Sequence, residues 1–306
     1  AARHRADAIT NLAIQCIARD VDTTPEGNTV FVINPLPWPV SQPVTVMPSI
    51  ARTLEKPIHF VDDEEQAVPS QKIRHERVAD HRYAFIADVP AMGYRAYHAR
   101  SGAHPFKLNK MLEAGPTHLE NEWWRIEFDA QTGAIKRLLD KIHHVEVLEE
   151  GNTLAALVDA SDTWSHTVRG YRFEAGRFGH ARVTPVERGD VLAVMQATAT
   201  FAKSTAILEV TLYRELDSID IALRVNWQEQ YHVLKLGFTT RIRDGAATCD
   251  VPYGCEERPL RGEEEPCQQW VDLTGTVDGR PYGFAILNDG KYGFDALDGT
   301  LRMTIL

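Results

Sequence analysis

The chain has 306 residues, of which 43% are apolar and 25% are charged, proportions that are ordinary for a folded globular protein of about two domains. Its formal net charge of −10 argues against a nucleic-acid partner, because binding to a phosphate backbone requires clustered Lys and Arg. No apolar stretch approaches the ~20 residues of a membrane-spanning helix, so we expect no membrane contact either.

An amphipathic helix is the first element that the sequence predicts, within residues 3–20. Ile9, Leu12, Ala13, Cys16 and Ile17 recur at spacings of three and four and therefore share one helix face. No segment after residue 20 has a helical period that would supply a partner helix. We therefore expect the apolar face to be exposed, and such a face favours self-association into a homo-oligomer.

A small β domain is predicted over residues 23–104. Residues 29–33 form a strand pattern that runs into a proline-rich segment at residues 34–39, which cannot continue in a central strand because Pro donates no ladder hydrogen bond. A second strand pattern covers residues 83–89. Residues 101–105, Ser-Gly-Ala-His-Pro, are typical of a linker, and we place the domain boundary there.

A larger β domain is predicted over residues 105–306. Trp124, Ile126 and Phe128 alternate with polar residues, and residues 219–227 carry five apolar side chains at strict period two, a pattern typical of half-buried antiparallel strands. Further strands are predicted at residues 134–139, 191–201, 205–213, 233–239 and 282–287. The sequence therefore predicts an all-β fold with large sheets stacked face to face.

Carboxylates, histidines and acidic runs give weak signals for a catalytic site. A retaining glycosidase needs two carboxylates about 5–5.5 Å apart; Glu120 and Asp162 are the most tempting, but a turn or strand-edge role is favoured for both. His143 and His144 are adjacent, so on a strand they point to opposite faces and do not predict a metal site. The acidic runs at residues 62–65 and 263–265 are expected to be solvated loops.

Cysteine usage favours thiols over disulfides or a structural zinc site. Cys249, Cys255 and Cys267 lie near one another in the sequence, but they lack the short C-x₂₋₄-C pairs of such a site. We expect reduced, buried thiols. A reducing, cytoplasmic setting follows from this interpretation.

Aromatic side chains near turns are the better candidates for ligand contact. Trp164 and Tyr292 flank polar turn residues, and exposed aromatic rings can stack on the apolar C–H faces of sugars. Trp227 belongs to an alternating strand and is expected in the core. Residues 288–291, Asn-Asp-Gly-Lys, predict a hairpin-type turn in which Gly290 supplies a positive φ.

Six segments, in order along nearly the whole chain, resemble glycoside hydrolase family 38, and within it the bacterial type. These segments are residues 30–38, 119–135, 162–164 (Asp-Thr-Trp), 225–238, 253–259 and 270–295. The chain departs from the family pattern at Ser165, where an acidic residue is usual, and after Glu229, where a His often comes sooner. These differences concern substrate detail and leave the linkage preference open.

The resemblance implies a fold and a division of labour. The fold would be a small β-sandwich (residues 23–104) followed by a large mutarotase-like β-supersandwich (residues 105–306), with residues 1–22 as the last helix of a three-helix middle domain. The parent reaction would be the zinc-assisted retaining hydrolysis of terminal α-mannosides. The catalytic carboxylates and the zinc would lie in a barrel upstream of Ala1, so we expect no cofactor on this chain and no activity from it alone, and both ends are expected to be truncations.

The resemblance also implies binding partners and a set of residues at the rim of the sugar site. The partners would be mannose-containing glycans, bound by the parent enzyme, and the N-terminal catalytic domain of that enzyme. In such enzymes a loop of the C-terminal domain can approach the sugar site, and the candidate rim residues here are Trp164, Asn288, Asp289, Lys291 and Tyr292. Two alternatives remain open, an autonomous carbohydrate-binding module and a mutarotase-like enzyme that uses a His and a carboxylate on a sheet face.

Overall fold

The computed structural model describes residues 2–21, 28–48, 57–74, 82–104, 112–162, 164, 166 and 168–306. The chain divides into two compact units, the first comprising Ala1–Met111 with Gly189–Leu192 and Tyr213–Leu216, the second comprising the remainder of residues 112–306. Pro105, the last residue of the predicted linker at 101–105, and Ser165, a departure from the family pattern, lie outside the described residues.

The predicted N-terminal helix is confirmed as α1 (Ala2–Ala18). Its apolar face is exposed as expected, with Ile9 69% and Leu12 60% accessible. No other helix occurs in the described part of the chain, and none there is long and apolar enough to span a membrane.

The first unit contains two small antiparallel sheets. Its strands are β1 (Thr29–Asn34), β2 (Val40–Val46), β3 (Ile58–Val61), β4 (Ala67–Val68), β5 (Ser70–Ile73), β6 (Arg82–Val89) and β7 (Gly93–Ser101). The sheet orders are β1-β7-β3-β4 and β2-β6-β5.

Aromatic side chains from both sheets fill the core of the first unit. Phe60 of β3 stacks on Phe85 of β6, and Phe85 contacts Tyr97 of β7, each with ring centroids 4.8 Å apart. The buried Tyr97 hydroxyl donates to the Asp88 carbonyl (3.1 Å) and accepts from the Asp88 N–H (2.9 Å). Two sheets that share one apolar core form a small sandwich.

Segments from far along the chain complete the first unit. The buried side chain of Gln71 accepts the backbone N–H groups of Val191 (3.1 Å) and Leu192 (3.0 Å) through Oε1. The carbonyl of Val191 accepts the N–H of Arg214 (2.9 Å). Residues 189–192 and 213–216 are thereby tied into this unit.

The second unit is built from longer antiparallel strands. They are β8 (Glu113–Ala114), β9 (His118–Glu120), β10 (Trp124–Phe128), β11 (Ile135–Asp140), β12 (Val145–Glu146), β13 (Leu148–Val158), β14 (Glu174–Arg177), β15 (Gly179–Arg188), β16 (Leu192–Phe201), β17 (Ser204–Tyr213), β18 (Ile219–Asn226), β19 (His232–Thr240), β20 (Arg243–Val251), β21 (Gly254–Arg258), β22 (Glu265–Pro266), β23 (Trp270–Val277), β24 (Arg280–Leu287), β25 (Gly293–Leu297) and β26 (Thr300–Thr304).

One large sheet dominates this unit. It has 11 strands, in the order β22-β25-β26-β19-β13-β11-β10-β9-β8, with β12 paired to β11 and β14 to β13. Two four-stranded sheets, β15-β16-β17-β18 and β21-β20-β23-β24, contribute residues to the same apolar core. This architecture confirms the predicted all-β fold with large stacked sheets.

The alternating patterns identified most strands correctly. The burial of β18 alternates residue by residue, as its sequence predicts, and Trp227 packs against the core directly after it. The strands predicted at residues 191–201, 205–213, 233–239 and 282–287 are β16, β17, β19 and β24, within one or two residues at each end. Period-two patterning is therefore a reliable guide in this chain, because each sheet has one buried face.

Candidate functional site

Loops from several strands meet at one end of the 11-stranded sheet. β13 ends and β19 begins at the paired residues Val158 and His232. Because β26 is antiparallel to β19 and β25 is antiparallel to β26, β26 ends and β25 begins at this same end. The loop after β13 carries Trp164, and residues 288–292 lie directly before β25. The candidate rim residues therefore share one end of the sheet, which we call the loop end.

Asp162 shapes the turn that carries Trp164. Its Oδ1 accepts the N–H groups of Trp164 (3.1 Å) and His166 (3.2 Å), and its Oδ2 lies 2.8 Å from Nδ1 of His166. Asp162 is thus a turn carboxylate, as favoured above. The Trp164 side chain is 80% accessible, so its ring is available for stacking.

Residues 288–292 connect two different sheets, so the predicted hairpin is wrong. β24 lies in a four-stranded sheet and β25 in the large one. Gly290 has no positive φ; instead Asn288 Oδ1 accepts the N–H groups of Gly290 (3.0 Å) and Lys291 (2.7 Å). Lys291 Nζ donates to the carbonyl of Ile305 (2.8 Å). Asn288 and Lys291 therefore hold the connection in place, while the side chains of Asp289 and Tyr292 are exposed.

A buried ionic network lies next to the loop end. Lys235 of β19 is fully buried, and its ammonium donates to Glu264 and to Thr304 (2.7 Å). It also forms an ion pair with Asp295 Oδ2 at 2.9 Å, although that oxygen accepts no hydrogen bond among the described residues. Thr304 in turn donates to the second oxygen of Glu264 (2.9 Å). The buried Asp295 also accepts from Arg302 Nε at 2.7 Å. Contrary to the expected solvated acidic run, Glu264 therefore holds a buried cation in place.

The loop after β13 crosses this network. The N–H of Glu264 donates to the carbonyl of Arg169 (2.7 Å), and the ring of Tyr171 lies 5.8 Å from the Lys235 ammonium. Burial, and then the nearby carboxylates Asp159 and Glu264, raise the pKa of the Tyr171 phenol. The ionic network thus anchors the loop that presents Trp164.

Beyond this network, the polar face of the sheet forms a cleft. Alternate residues of β13, β19, β26 and β25 point away from the core and form three rows across the sheet. The first row is Ala155, Lys235 and Thr304, the second is Thr153, Gly237, Arg302 and Asp295, and the third is Thr239, Thr300 and Leu297. The cleft has a volume of about 330 Å³, and Glu150, Arg177 and Asp298 also line it. We call it the polar cleft.

Glu120 and the paired histidines have local roles elsewhere in the unit. Burial alone would raise the pKa of Glu120, but hydrogen bonds from Lys141 and Arg125, each 2.7 Å long, lower it below its usual range. His143 and His144 lie in the turn between β11 and β12 and not on a strand. Glu120 is therefore engaged in ion pairs at a strand edge, as favoured above.

The turn after β11 is built around the buried carboxylate of Asp140. Oδ1 accepts the N–H groups of Ile142 and His143, both at 2.9 Å, while Oδ2 lies 2.8 Å from His143 Nδ1 and accepts from the Tyr282 hydroxyl at 2.8 Å. Burial would raise the pKa of Asp140, but these hydrogen bonds lower it below its usual range. Burial, together with the bond to Asp140, raises the pKa of Tyr282. The carboxylate thus connects the turn to β24.

Cysteines and other metal-ligating groups form no metal site in the described residues. Cys249 and Cys267 are buried as expected, but Cys255, on the edge strand β21, is exposed, as is Cys16. No group of three His, Cys, Asp or Glu side chains in the described ranges could hold a metal ion.

Sequence reasoning missed the polar cleft. Lys235 and Gly237 interrupt an otherwise apolar run in β19, and this is the one signal that could have revealed it. Asp295 and Arg302 face each other across β25 and β26. That juxtaposition depends on register, which periodicity does not give.

Comparison with known proteins gives a consistent result. Residues 119–306 match the profile described as the glycosyl hydrolases family 38 C-terminal domain. Alpha-mannosidase G of Dictyostelium discoideum is 24% identical over 220 residues, which cover 65% of this chain and 20% of that protein. Alpha-mannosidase 2C1 of Homo sapiens is 24% identical over 245 residues, which cover 72% of this chain and 23% of that protein.

A solved structure has the same fold. The crystal structure of an alpha-mannosidase from Enterococcus faecalis superposes with a TM-score of 0.75 at 16% identity, over 97% of this chain and 42% of that one. A sequence identity this low supports a shared fold and carries no information on function. The chain spans about a fifth of the length of the curated relatives named above.

Proposed function

This chain belongs to glycosyl hydrolase family 38 through the C-terminal domain at residues 119–306, and from that membership we propose that it is the C-terminal region of an α-mannosidase. The match of this domain to the family profile carries the proposal. The relatives that are named as α-mannosidases support it, because the aligned segment is a quarter or less of each of them. The parent reaction is the retaining hydrolysis of terminal α-mannosides in mannose-containing glycans.

In this proposal the chemistry belongs to a separate catalytic domain. A bound zinc ion there would supply Lewis-acid assistance, and two carboxylates would supply the nucleophile and the acid/base. The present chain packs on that domain and is inactive alone. The fully reduced cysteines are compatible with a cytoplasmic setting.

The loop end is the part of this chain that we assign to the sugar. The exposed rings of Trp164 and Tyr292 offer stacking faces for a pyranose, and Asp289 offers a free carboxylate beside Tyr292. Asn288 and Lys291 contribute by fixing the backbone of this connection. They position the rim and leave sugar contact to their neighbours.

A mutarotase-like activity receives less support. It requires a His and a carboxylate that converge on a sheet face. The residues that line the polar cleft include carboxylates and arginines but no histidine. Sugar binding without catalysis has a specific observation in its favour, the polar cleft itself, which the next section develops.

Hydrolysis of an aryl α-mannoside by the purified chain, with and without added zinc, tests the proposal. We expect no release above that of a mock purification from the same host, because the nucleophile, acid/base and zinc lie elsewhere. Saturable, zinc-dependent turnover that exceeds the mock sample would contradict it, since a complete site would then lie within these residues.

A further inference from the structure

The floor of the polar cleft carries no side chain at Gly237. This glycine lies in the middle of β19, paired with Thr153 of β13 on one side and with Arg302 of β26 on the other. A Cβ atom there would lie 2.8 Å from Thr153 Oγ1 and 3.4 Å from Arg302 Cγ. Glycine inside a strand costs stability and often marks a place where a ligand approaches the backbone.

Polar groups around this floor have unused hydrogen-bonding capacity. Arg302 Nε donates to the buried Asp295 (2.7 Å), but neither terminal nitrogen of the guanidinium has a partner among the described residues. Thr300 donates to Thr239 Oγ1 (3.2 Å), which leaves the Thr239 hydroxyl proton to donate. The carboxylate of Asp298 has no partner in the described ranges. Donors and acceptors therefore face the same space.

One end of the cleft is fixed. Lys235 donates to Glu264 and Thr304 and forms an ion pair with Asp295. Because Asp295 is buried and held by two cations, it fixes the Arg302 guanidinium in turn. A planar guanidinium that is held in this way is pre-organised to donate two parallel hydrogen bonds.

The charge of the lining selects against anions. Four carboxylates (Glu150, Glu174, Asp295 and Asp298) and three cations (Arg177, Lys235 and Arg302) line the cleft. A phosphate or carboxylate ligand would meet an excess of negative charge. A neutral ligand rich in hydroxyl groups can accept from Arg302 and donate to the carboxylates, so it matches both kinds of group.

We propose that the polar cleft binds a neutral carbohydrate of one or two pyranose rings. Its volume of about 330 Å³ is at the lower end of the roughly 300–1,000 Å³ range of small-molecule sites. One hydroxyl pair sits on Arg302, and the ring lies over Gly237. Only the choice of mannose as the sugar rests on the proposed function, because the geometry of the cleft specifies a neutral polyol.

Saturation-transfer NMR on the full chain tests the proposal, with methyl α-mannopyranoside, methyl α-glucopyranoside and mannose 6-phosphate as probes. We expect saturable binding of at least one neutral glycoside and weaker binding of the phosphate. Because the proposed ligand has one or two rings, α-linked mannobioses are tested as well, and failure of the folded chain to bind any of these neutral probes would overturn the proposal. Preference for mannose 6-phosphate would do the same.

Variants locate the binding site. Arg302→Lys keeps the positive charge but removes the planar guanidinium with its paired N–H donors. The loss of a charge-assisted hydrogen bond should weaken sugar binding about tenfold or more. Thr300→Val removes one hydroxyl at constant shape and should weaken binding by a smaller factor. Arg224→Lys, on β18 with one ion pair to Glu209, is the matched control and should bind as the wild type does. Circular dichroism and melting temperature confirm that each variant is folded.

Gly237→Ala and Trp164→Ala separate the cleft from the loop end. The methyl group of Gly237→Ala would stand on the floor of the cleft and displace the Thr153 side chain, whose Oγ1 would lie 2.8 Å away, so it should abolish binding in a folded chain. If Trp164→Ala abolishes sugar binding while the cleft variants retain it, the sugar binds at the loop end and the proposal is wrong. The hydrolysis assay is independent of these results, since turnover would contradict the proposed function without deciding where a sugar binds.

Discussion

Replacement of Lys235 by Met is the most informative perturbation of this structure. Met keeps the aliphatic stem of Lys235 but removes the ammonium that Glu264, Asp295 and Thr304 share. Asp295 is the critical partner, because it is 1% accessible and cannot regain solvation. The substitution therefore leaves a buried carboxylate whose only cation among the described residues is Arg302.

The magnitude follows from the geometry. At the 2.9 Å separation of Lys235 Nζ and Asp295 Oδ2, the attraction is about 6 kcal/mol at an effective dielectric constant of about 20. Desolvation of both ions offsets much of this in the native protein, but removal of one partner leaves the cost of the other, typically about 3–5 kcal/mol. For a unit of this size, the melting temperature should fall by roughly 6–20 °C.

Thermal unfolding followed by tryptophan fluorescence measures the effect. Five of the six tryptophans lie in the second unit, all except Trp38, so the signal reports the unit that contains the network. Lys136→Met, at an exposed position of β11 in the same unit, is the control and should change the free energy of unfolding by less than about 0.5 kcal/mol.

A double variant checks the cause. Asp295→Asn in the Lys235→Met background removes the stranded charge and should recover at least about 1 kcal/mol relative to additivity. The reasoning is refuted if Lys235→Met melts within about 2 °C of the wild type, or no lower than Lys136→Met. It also fails if the two substitutions are additive, because the carboxylate would then not be the source of the loss.

Three further outcomes are expected. Tyr97→Phe should cost about 1–2 kcal/mol in the first unit, because both backbone groups of one residue lose a buried partner; the exposed Tyr94→Phe is the control, and equal urea midpoints would contradict the assignment. Burial raises the pKa of Asp140, but its hydrogen bonds together lower it by more, so the native pKa lies below the ordinary value of 3.8. The stabilising effect of the carboxylate is therefore complete above pH 3.8 and is lost as the pH falls through the native pKa. The stability difference between the wild type and Asp140→Asn should therefore close in acid, and a constant difference would refute the sign. A thiol reagent at pH 8 should modify the two exposed cysteines at once and Cys249 and Cys267 only after unfolding, because both of the latter are buried and burial also raises the pKa of Cys267 to about 11; four fast thiols in the native chain would contradict this.

The strands could be predicted because each has one buried face. The alternation of residues 219–227 gave β18 and the core position of Trp227. The same reasoning failed at Gly290, where Asn-Asp-Gly resembles a hairpin turn but the chain crosses between sheets. A local signal of that kind cannot report which sheet the next strand joins.

Apart from Lys235 and Gly237 in β19, nothing in the sequence indicates the polar cleft, because its contacts join residues that are distant in sequence. Lys235 meets Glu264 and Asp295 only once β22, β25 and β26 have assembled in order beside β19. Each of these side chains, read alone, is typical of a solvated strand or loop. Their burial follows from register and from the loop that crosses above them.

The binding of Gln71 to residues 191 and 192 affects how the chain acquires its structure during synthesis. Domains generally fold in order as the chain emerges from the ribosome. Here the first unit lacks two of its segments, Gly189–Leu192 and Tyr213–Leu216, until much of the second unit has been translated. Until then the N–H groups of Val191 and Leu192 cannot donate to Gln71 Oε1. A fragment cut at residue 104 would keep both small sheets but lose these bonds, so the first unit matures only when the later residues arrive.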